Sequence, residues 1–373
     1  MTEEFSEFLQ KRRSEKREEK LERMINEPEP VDWTEEHKVQ YTQQPWRIEN
    51  IIPEQGITIL ASISGEKKTW LALEIVRALV AGTPFLGNSN FKTVGCNVLY
   101  IDAENAKSEF QRRCKQMAIS VNGPNKFYIH SDGDLNLNDE RNVEWLMGLV
   151  EYYDVKVVII DTFRAVAGGL SDDKSSEIRE FFNRFKPMKD KGVSMVLLDH
   201  LRKPNNLDGK TPKKEHLLGS QDKTASSEVL LMLRSESGTD KIEVYQRKNR
   251  LGREIKPFEV LMVDTLEDTG VIKTTLTFNG ELDDETTKKE DSKVVIQQLL
   301  TVSPKTTKEL ISVLQKDVGS RNVRQALVEL EESKVIESIR KGREKQYFLP
   351  NTDYSKSETE ETLEEVWQAL NQS

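Results

Sequence analysis

At 373 residues the chain is long enough for one large α/β domain and a smaller companion. A composition 36% hydrophobic and 32% charged, no apolar run long enough to cross a bilayer and no signal-peptide pattern at the start read as a soluble, cytoplasmic protein with no membrane partner. The formal net charge of −9 argues against indiscriminate nucleic-acid binding but leaves local basic patches open, and the two cysteines, Cys96 and Cys114, lack metal-ligand spacing and suit a reducing compartment.

Residues 1–45 read as a charged helical arm. "MTEEFSEFLQKRRSEKREEKLERMI" sets Glu, Lys and Arg three and four apart, which favours a solvated or coiled helix, and "EPEPVDW" breaks it. From 46 to 280 short apolar runs alternate with helical patterns. Strands are predicted at 57–61, 97–101, 126–130, 156–160, 194–198, 227–233 and 241–246, and helices at 69–81, 107–118, 138–152 and 175–191. That alternation means βαβ units and a mostly parallel sheet. Residues 281–291, in "ELDDETTKKEDS", read as a polar linker.

Residues 292–350 change character. "SKVVIQQLLTV", "TTKELISVLQ" and "SRNVRQALVELEESKVI" are helical patterns with helix-start residues before them, and "IESIRKGREKQYFLP" alternates around a Lys-Gly turn as a hairpin does. Three helices and a basic-tipped hairpin describe a small winged-helix domain. From 292 to 350 there are eleven Lys/Arg against seven Asp/Glu, whereas the tail at 351–373 has six acids and one Lys. The sign change marks a boundary.

The stretch with the most chemistry is "ASISGEKKTWLAL", between the apolar run "GITILA" and a helical pattern. A phosphate loop presents backbone N–H groups at a helix start, a Lys to the β/γ oxygens and a Ser or Thr hydroxyl to Mg²⁺. Against G-x-x-x-x-G-K-[ST], Lys68 and Thr69 match, while Ser62 and Lys67 occupy the two glycine positions. The candidate cofactor-binding stretch is therefore Ser64, Gly65, Glu66, Lys67, Lys68, Thr69 and Trp70. Alone this match is poor, and a chance Lys-Thr at a helix start is the simpler reading. Three further strand ends alter the balance: "NVLYIDAEN" ends at Asp102 and Glu104, "VKVVIIDTF" at Asp161, and "VSMVLLDHLRK" at Asp199 and His200. In a parallel sheet these ends converge beside the loop, with Asp161 placed to bind Mg²⁺ together with Thr69.

Together with "HLLGSQDKTASSEVLLML" and "IEVYQRKNRLG", these segments resemble the RecA-like hexameric ATPases of the RepA type, relatives of DnaB-class helicases, over residues 46–254. The resemblance implies an α/β fold, with a RecA-like P-loop NTPase core, and ATP and Mg²⁺ as cofactors. By position it makes Lys68 the phosphate ligand, Thr69 and Asp161 the Mg²⁺ ligands, Glu104 the residue that activates the attacking water, and His200 the γ-phosphate reporter. Lys248 and Arg250 correspond to the pair that reaches a neighbouring subunit's site, which implies a homo-oligomeric ring, expected to be a hexamer. A bulky residue before the Lys is common in this family. Ser62 in place of the first glycine is less so, and leaves reduced hydrolysis open.

The resemblance also implies channel-facing loops, "RAVAGGLSDDKSS" and "RKPNNLDGKTPKKEHLLGS". Arg202, Lys203, Lys210, Lys213 and Lys214 in the second suit a single-stranded DNA backbone, with a solvated loop as the alternative. In the winged-helix region Arg321, Asn322, Arg324, Arg340, Lys341, Arg343 and Lys345 are candidates for duplex DNA, with protein docking as the alternative. Two functions are expected to compete: an ATP-dependent, ring-forming motor on DNA serving a mobile element, and a DNA-binding regulatory or scaffolding protein whose core binds nucleotide but hydrolyses it poorly.

Overall fold

Strands buried on both faces read as unbroken Val/Ile/Leu runs, and the computed structural model puts these runs at the middle of one sheet. It describes residues 3–25, 33–36, 45–131, 133–170, 174–202, 211–218, 221–235, 238–268, 270–282, 284–314, 318–341, 344–350 and 352. The chain divides into a large unit ending at Glu281 and a small one built mainly from residues after it.

In the large unit, Gly56–Ser62 (β1), Asn97–Asp102 (β2), Phe127–Ser131 (β3), Val155–Asp161 (β4), Ser194–His200 (β5) and Val229–Arg234 (β6) are mutually parallel. Lys241–Asn249 (β7), Phe258–Leu266 (β8) and Ile272–Glu281 (β9) continue the sheet antiparallel. The order across it is β9-β8-β7-β6-β1-β5-β4-β2-β3. β1 therefore lies between β6 and β5, and the polar ends of β1, β2, β4 and β5 share one edge. β8 and β9 were absent from the predicted strands. They form a hairpin at the sheet edge that sends Phe258, Val260 and Leu276 into the core, while Lys273, Thr275 and Thr277 of β9 face outward and leave that strand a thin sequence signal.

Helix Glu3–Ile25 (α1) starts in the arm that was expected to be a solvated or coiled helix. Its first turns instead dock on the core. Phe5 is buried, Phe5 and Phe8 meet the Tyr152 ring edge-on at 5.3 Å, and Arg12 pairs with Glu151. A Cβ at Gly148 would lie 2.3 Å from Leu9 Cδ2, which shows how closely the helix approaches. The seam was hidden by the charged residues around it.

Helix Lys68–Ala81 (α2) follows β1 and buries Leu71, Ile75 and Leu79 at the expected spacing. It stops at Gly82, whose φ of 65° is the left-handed cap conformation. Lys107–Gln116 (α3) and Glu140–Tyr152 (α4) also follow the prediction. The helix predicted at 175–191 is two, Ser175–Asn183 (α5) and Lys186–Asp190 (α6), because Pro187 is tolerated only in a first turn. A short helix, Gln221–Ser226 (α7), precedes β6.

The small unit contains Asp284–Val302 (α8), Lys305–Thr306 (β10), Thr307–Leu314 (α9), Ser320–Glu332 (α10), Glu337–Lys341 (β11) and Glu344–Phe348 (β12), with sheet order β10-β12-β11. Ile296, Leu300, Leu310, Val323, Leu327, Ile336 and Tyr347 form its core. The stretch 281–291, read as a linker, is helical from Asp284. Its Glu and Lys residues are good helix formers, and Lys289 and Lys293 both bridge Glu329 of α10, at 2.8 and 2.7 Å. The tail after 352 lies outside the described residues.

Candidate nucleotide site

β1 delivers Ser62 to the sheet edge in ordinary extended backbone, so the first glycine position needs no glycine. The Ser62 hydroxyl bonds Ile63 O at 2.8 Å and receives Lys68 Nζ at 3.2 Å. The second glycine position is different. Lys67 has φ 63° and ψ 21°, a left-handed conformation that costs an L-residue roughly 1–2 kcal/mol. Its Nζ donates to Thr239 O at 2.6 Å, holding the strained residue in place. The loop thus keeps a phosphate-loop path with one real glycine, Gly65 at φ 87°.

Lys68 is buried and its Nζ also contacts Ser62 O at 3.3 Å and His200 Nδ1 at 3.4 Å. Burial lowers its pKa, and the carboxylates of Asp161, Glu104, Asp199 and Glu66 work against that. Thr69 Oγ1 donates to Asp161 Oδ2 at 2.8 Å, and the buried Tyr100 hydroxyl donates to the same oxygen at 2.8 Å. Burial pushes Asp161 up to about 6 despite these two hydrogen bonds. Burial also lowers His200, with Lys68 adding to the effect, and raises Glu66, whose Oε2 accepts from Ile63 N at 3.2 Å.

These groups surround a cavity of about 230 Å³. Residues 64–70 form one wall, and Glu104, Asp161 and His200 face them. Asp102 is not part of the wall: its Oδ1 accepts from Asn105 N at 3.1 Å and Asn105 Nδ2 at 2.8 Å, shaping the turn that exposes Glu104. Asp199 pairs in the interior with Lys223 at 3.0 Å, one residue before His200. The Thr69 hydroxyl and Asp161 carboxylate, hard oxygens already in contact, fit a Mg²⁺ that takes its remaining ligands from phosphate and water. Among the described residues there is no group of three or more His, Cys, Asp or Glu that could hold a metal ion.

Lys248 and Arg250 do not line this cavity. Lys248 Nζ caps the end of α7 through the carbonyls of Thr224, Ala225 and Ser227, and burial followed by Arg250 lowers its pKa. Arg250 is exposed just beyond β7. Lys214 is exposed, 3.8 Å from Glu254. Arg202 is half-buried and its N–H bonds His216 O, and Lys213 is also half-buried. Lys203, Lys210 and Arg343 lie outside the described residues.

In the small unit Arg321 and Arg324 are exposed on α10 and Arg340 on β11. Asn322 is a correction: its place on the helix turns it inward, where it is 6% exposed and its Nδ2 bonds Val318 O at 3.1 Å, so it offers nothing to DNA. Lys341 pairs through its backbone with Glu344, and Lys345 is tied to Glu331 at 2.9 Å.

Sequence reasoning missed Tyr100, Lys223, Asn105 and Arg113. Tyr100 had a signal, since a phenol inside a doubly buried strand must find a partner. Asn105 had one too, lying three residues after Asp102 in one turn, and Arg113 sits one helical turn from Glu109, whereas Lys223 had none because its partner Asp199 comes from another element.

No curated protein matches the chain. Residues 21–206 match the AAA_25 family model, an AAA domain, and the match takes in the phosphate loop, Glu104, Asp161 and His200. Together with the mostly parallel sheet, this match supports a nucleotide-binding domain of the P-loop, RecA-like ATPase type in that part of the chain.

Proposed function

We propose that the protein is an ATP- and Mg²⁺-dependent, ring-forming motor of the helicase type, acting on DNA in replication or maintenance of a mobile element. The observation that carries this reading is the assembly of Lys68, the Thr69–Asp161 pair and Glu104 around one cavity at the carboxyl edge of the sheet. Loop amides and Lys68 would hold the β- and γ-phosphates. Thr69 and Asp161 would hold Mg²⁺, which when bound offsets charge on those oxygens. Glu104 would orient water for attack on the γ-phosphorus and take its proton as the bond to the β-phosphate oxygen breaks. His200, in contact with Lys68, would sense the γ-phosphate. Exposed Arg250 would reach the neighbouring site of a ring, with Lys248 steadying the turn that presents it.

The small unit supports a winged-helix reading through its order of helix, short strand, two helices and hairpin. Arg321, Arg324 and Arg340 are its exposed cations for duplex DNA, and the 202–214 loop is the candidate for single strands. A regulatory protein that binds nucleotide but hydrolyses it poorly is favoured by two observations: Lys67 strained at a glycine position, and the Glu66 carboxylate bonded inside the loop.

Phosphate release from ATP, with and without single-stranded DNA, separates the readings. DNA-stimulated turnover abolished by Lys68→Ala and Glu104→Gln supports the motor. ATP and DNA binding without turnover supports the regulator. Activity regained on mixing Lys68→Ala with Arg250→Ala subunits would place Arg250 at a shared site, and no regain would remove it.

A further inference from the structure

We propose that Trp70 and Arg113 form a nucleobase subsite at one end of this cavity and receive a purine by stacking. The proposal rests on reading the loop as a triphosphate site and adds a ligand group to it. Successive residues of a helix point about 100° apart. With Thr69 turned to Asp161 at the sheet edge, Trp70 is carried away from the strand ends toward α3. There the Arg113 guanidinium carbon lies 5.6 Å from the Trp70 ring centroid. Arg113 Nε donates to Glu109 at 3.1 Å, one helical turn back, and its NH1 lies 3.5 Å from Asn105 Oδ1.

Trp70, Asn105 and Arg113 line the same cavity as Lys68, Thr69 and Glu104. Its two ends therefore differ in kind. One end offers amides, an ammonium group and carboxylates, suited to phosphate and a divalent cation. The other offers a half-buried indole beside a planar cation already paired with a carboxylate, which suits a flat π-system better than another anion. A purine covers more of the indole than a pyrimidine does.

The test is calorimetric titration of the full chain with MgATP, MgCTP and Mg-tripolyphosphate, comparing the unmodified protein with Trp70→Leu, Trp70→Phe and Arg113→Met. Stacking predicts that Trp70→Leu weakens ATP about tenfold. Tripolyphosphate binding should stay unchanged, Trp70→Phe should recover most of the loss, and ATP should bind the unmodified chain more tightly than CTP. Arg113→Met alters only a half-buried side chain, and should weaken ATP alone even if Trp70→Leu fails to fold. ATP and tripolyphosphate weakened together would make the pair structural and overturn the subsite. Equal affinity of the unmodified chain for ATP and tripolyphosphate would overturn the subsite while leaving the phosphate site intact. Binding of neither would overturn both.

Discussion

Replacing Lys223 by Met removes one charge of a pair that is almost completely enclosed, with the Lys223 and Asp199 side chains 2% and 5% exposed and 3.0 Å apart. The ammonium also donates to Leu218 O at 2.9 Å and lies 4.4 Å from the centroid of the Phe163 ring. Met fills nearly the same volume, so the cavity contribution is small and the loss is electrostatic. Stranding one member of a buried pair costs about 3–5 kcal/mol. For a unit of this size each kcal/mol lowers the melting temperature by about 2–4 °C, so Lys223→Met should melt roughly 6–20 °C lower. Asp199→Asn keeps an acceptor for His200 N–H, now 2.8 Å from Asp199 Oδ1, while removing the stranded charge. The double variant should therefore regain more than half of the loss. Calorimetric melting of the two single variants and the double one closes the cycle. A drop under about 2 °C for Lys223→Met would refute the reasoning. So would a double variant no more stable than the single one.

Three further outcomes are expected. Lys67→Gly should be about 1 kcal/mol more stable than Lys67→Ala, since both lose the bond to Thr239 but only Gly relieves the left-handed backbone. Equal denaturation midpoints would mean the loop relaxes without cost. Asp161, raised from 3.8 to about 6, favours the fold when protonated, so its contribution is complete below 3.8 and lost as pH rises through about 6. In nucleotide-free protein Asp161→Asn should then be relatively more stable at pH 7.5 than at pH 4.5, and melting curves showing no such difference would contradict the shift. Phe5→Ala should cost the docking of α1 about 3 kcal/mol and speed proteolysis within residues 3–25, an effect absent for the exposed Glu7→Ala. Equal cleavage rates would mean the Phe5–Tyr152 contact does not hold the helix.

Much of the nucleotide site was legible because its chemistry is local in the chain. Lys68 and Thr69 follow an apolar strand, Glu104 and Asp161 end other strands, and the rule that parallel strands share their carboxyl edge brings those ends together before any contact is known. Strands β1, β2, β4, β5 and β6 could be read because burial on both faces leaves continuous apolar runs, and β3 and β7 because they continue the alternation of strands with helices and turns. The β8–β9 hairpin was not read: β8 has an apolar run from Phe258 to Val263 interrupted only by Glu259, but its partner β9 alternates polar residues with few apolar ones and gives little signal of a pairing strand.

Only the tertiary structure decided how the loop manages without its glycines, through a strained Lys67 tied to Thr239 and a Ser62 that needs no special backbone. It also paired Tyr100 with Asp161, Lys223 with Asp199, and Arg12 with Glu151, across 61, 24 and 139 residues of chain. It turned Asn322 inward. Residue type and spacing report what a segment prefers next to its own neighbours. Which buried charge meets which partner depends on the packing of elements far apart in sequence, and no local pattern encodes that.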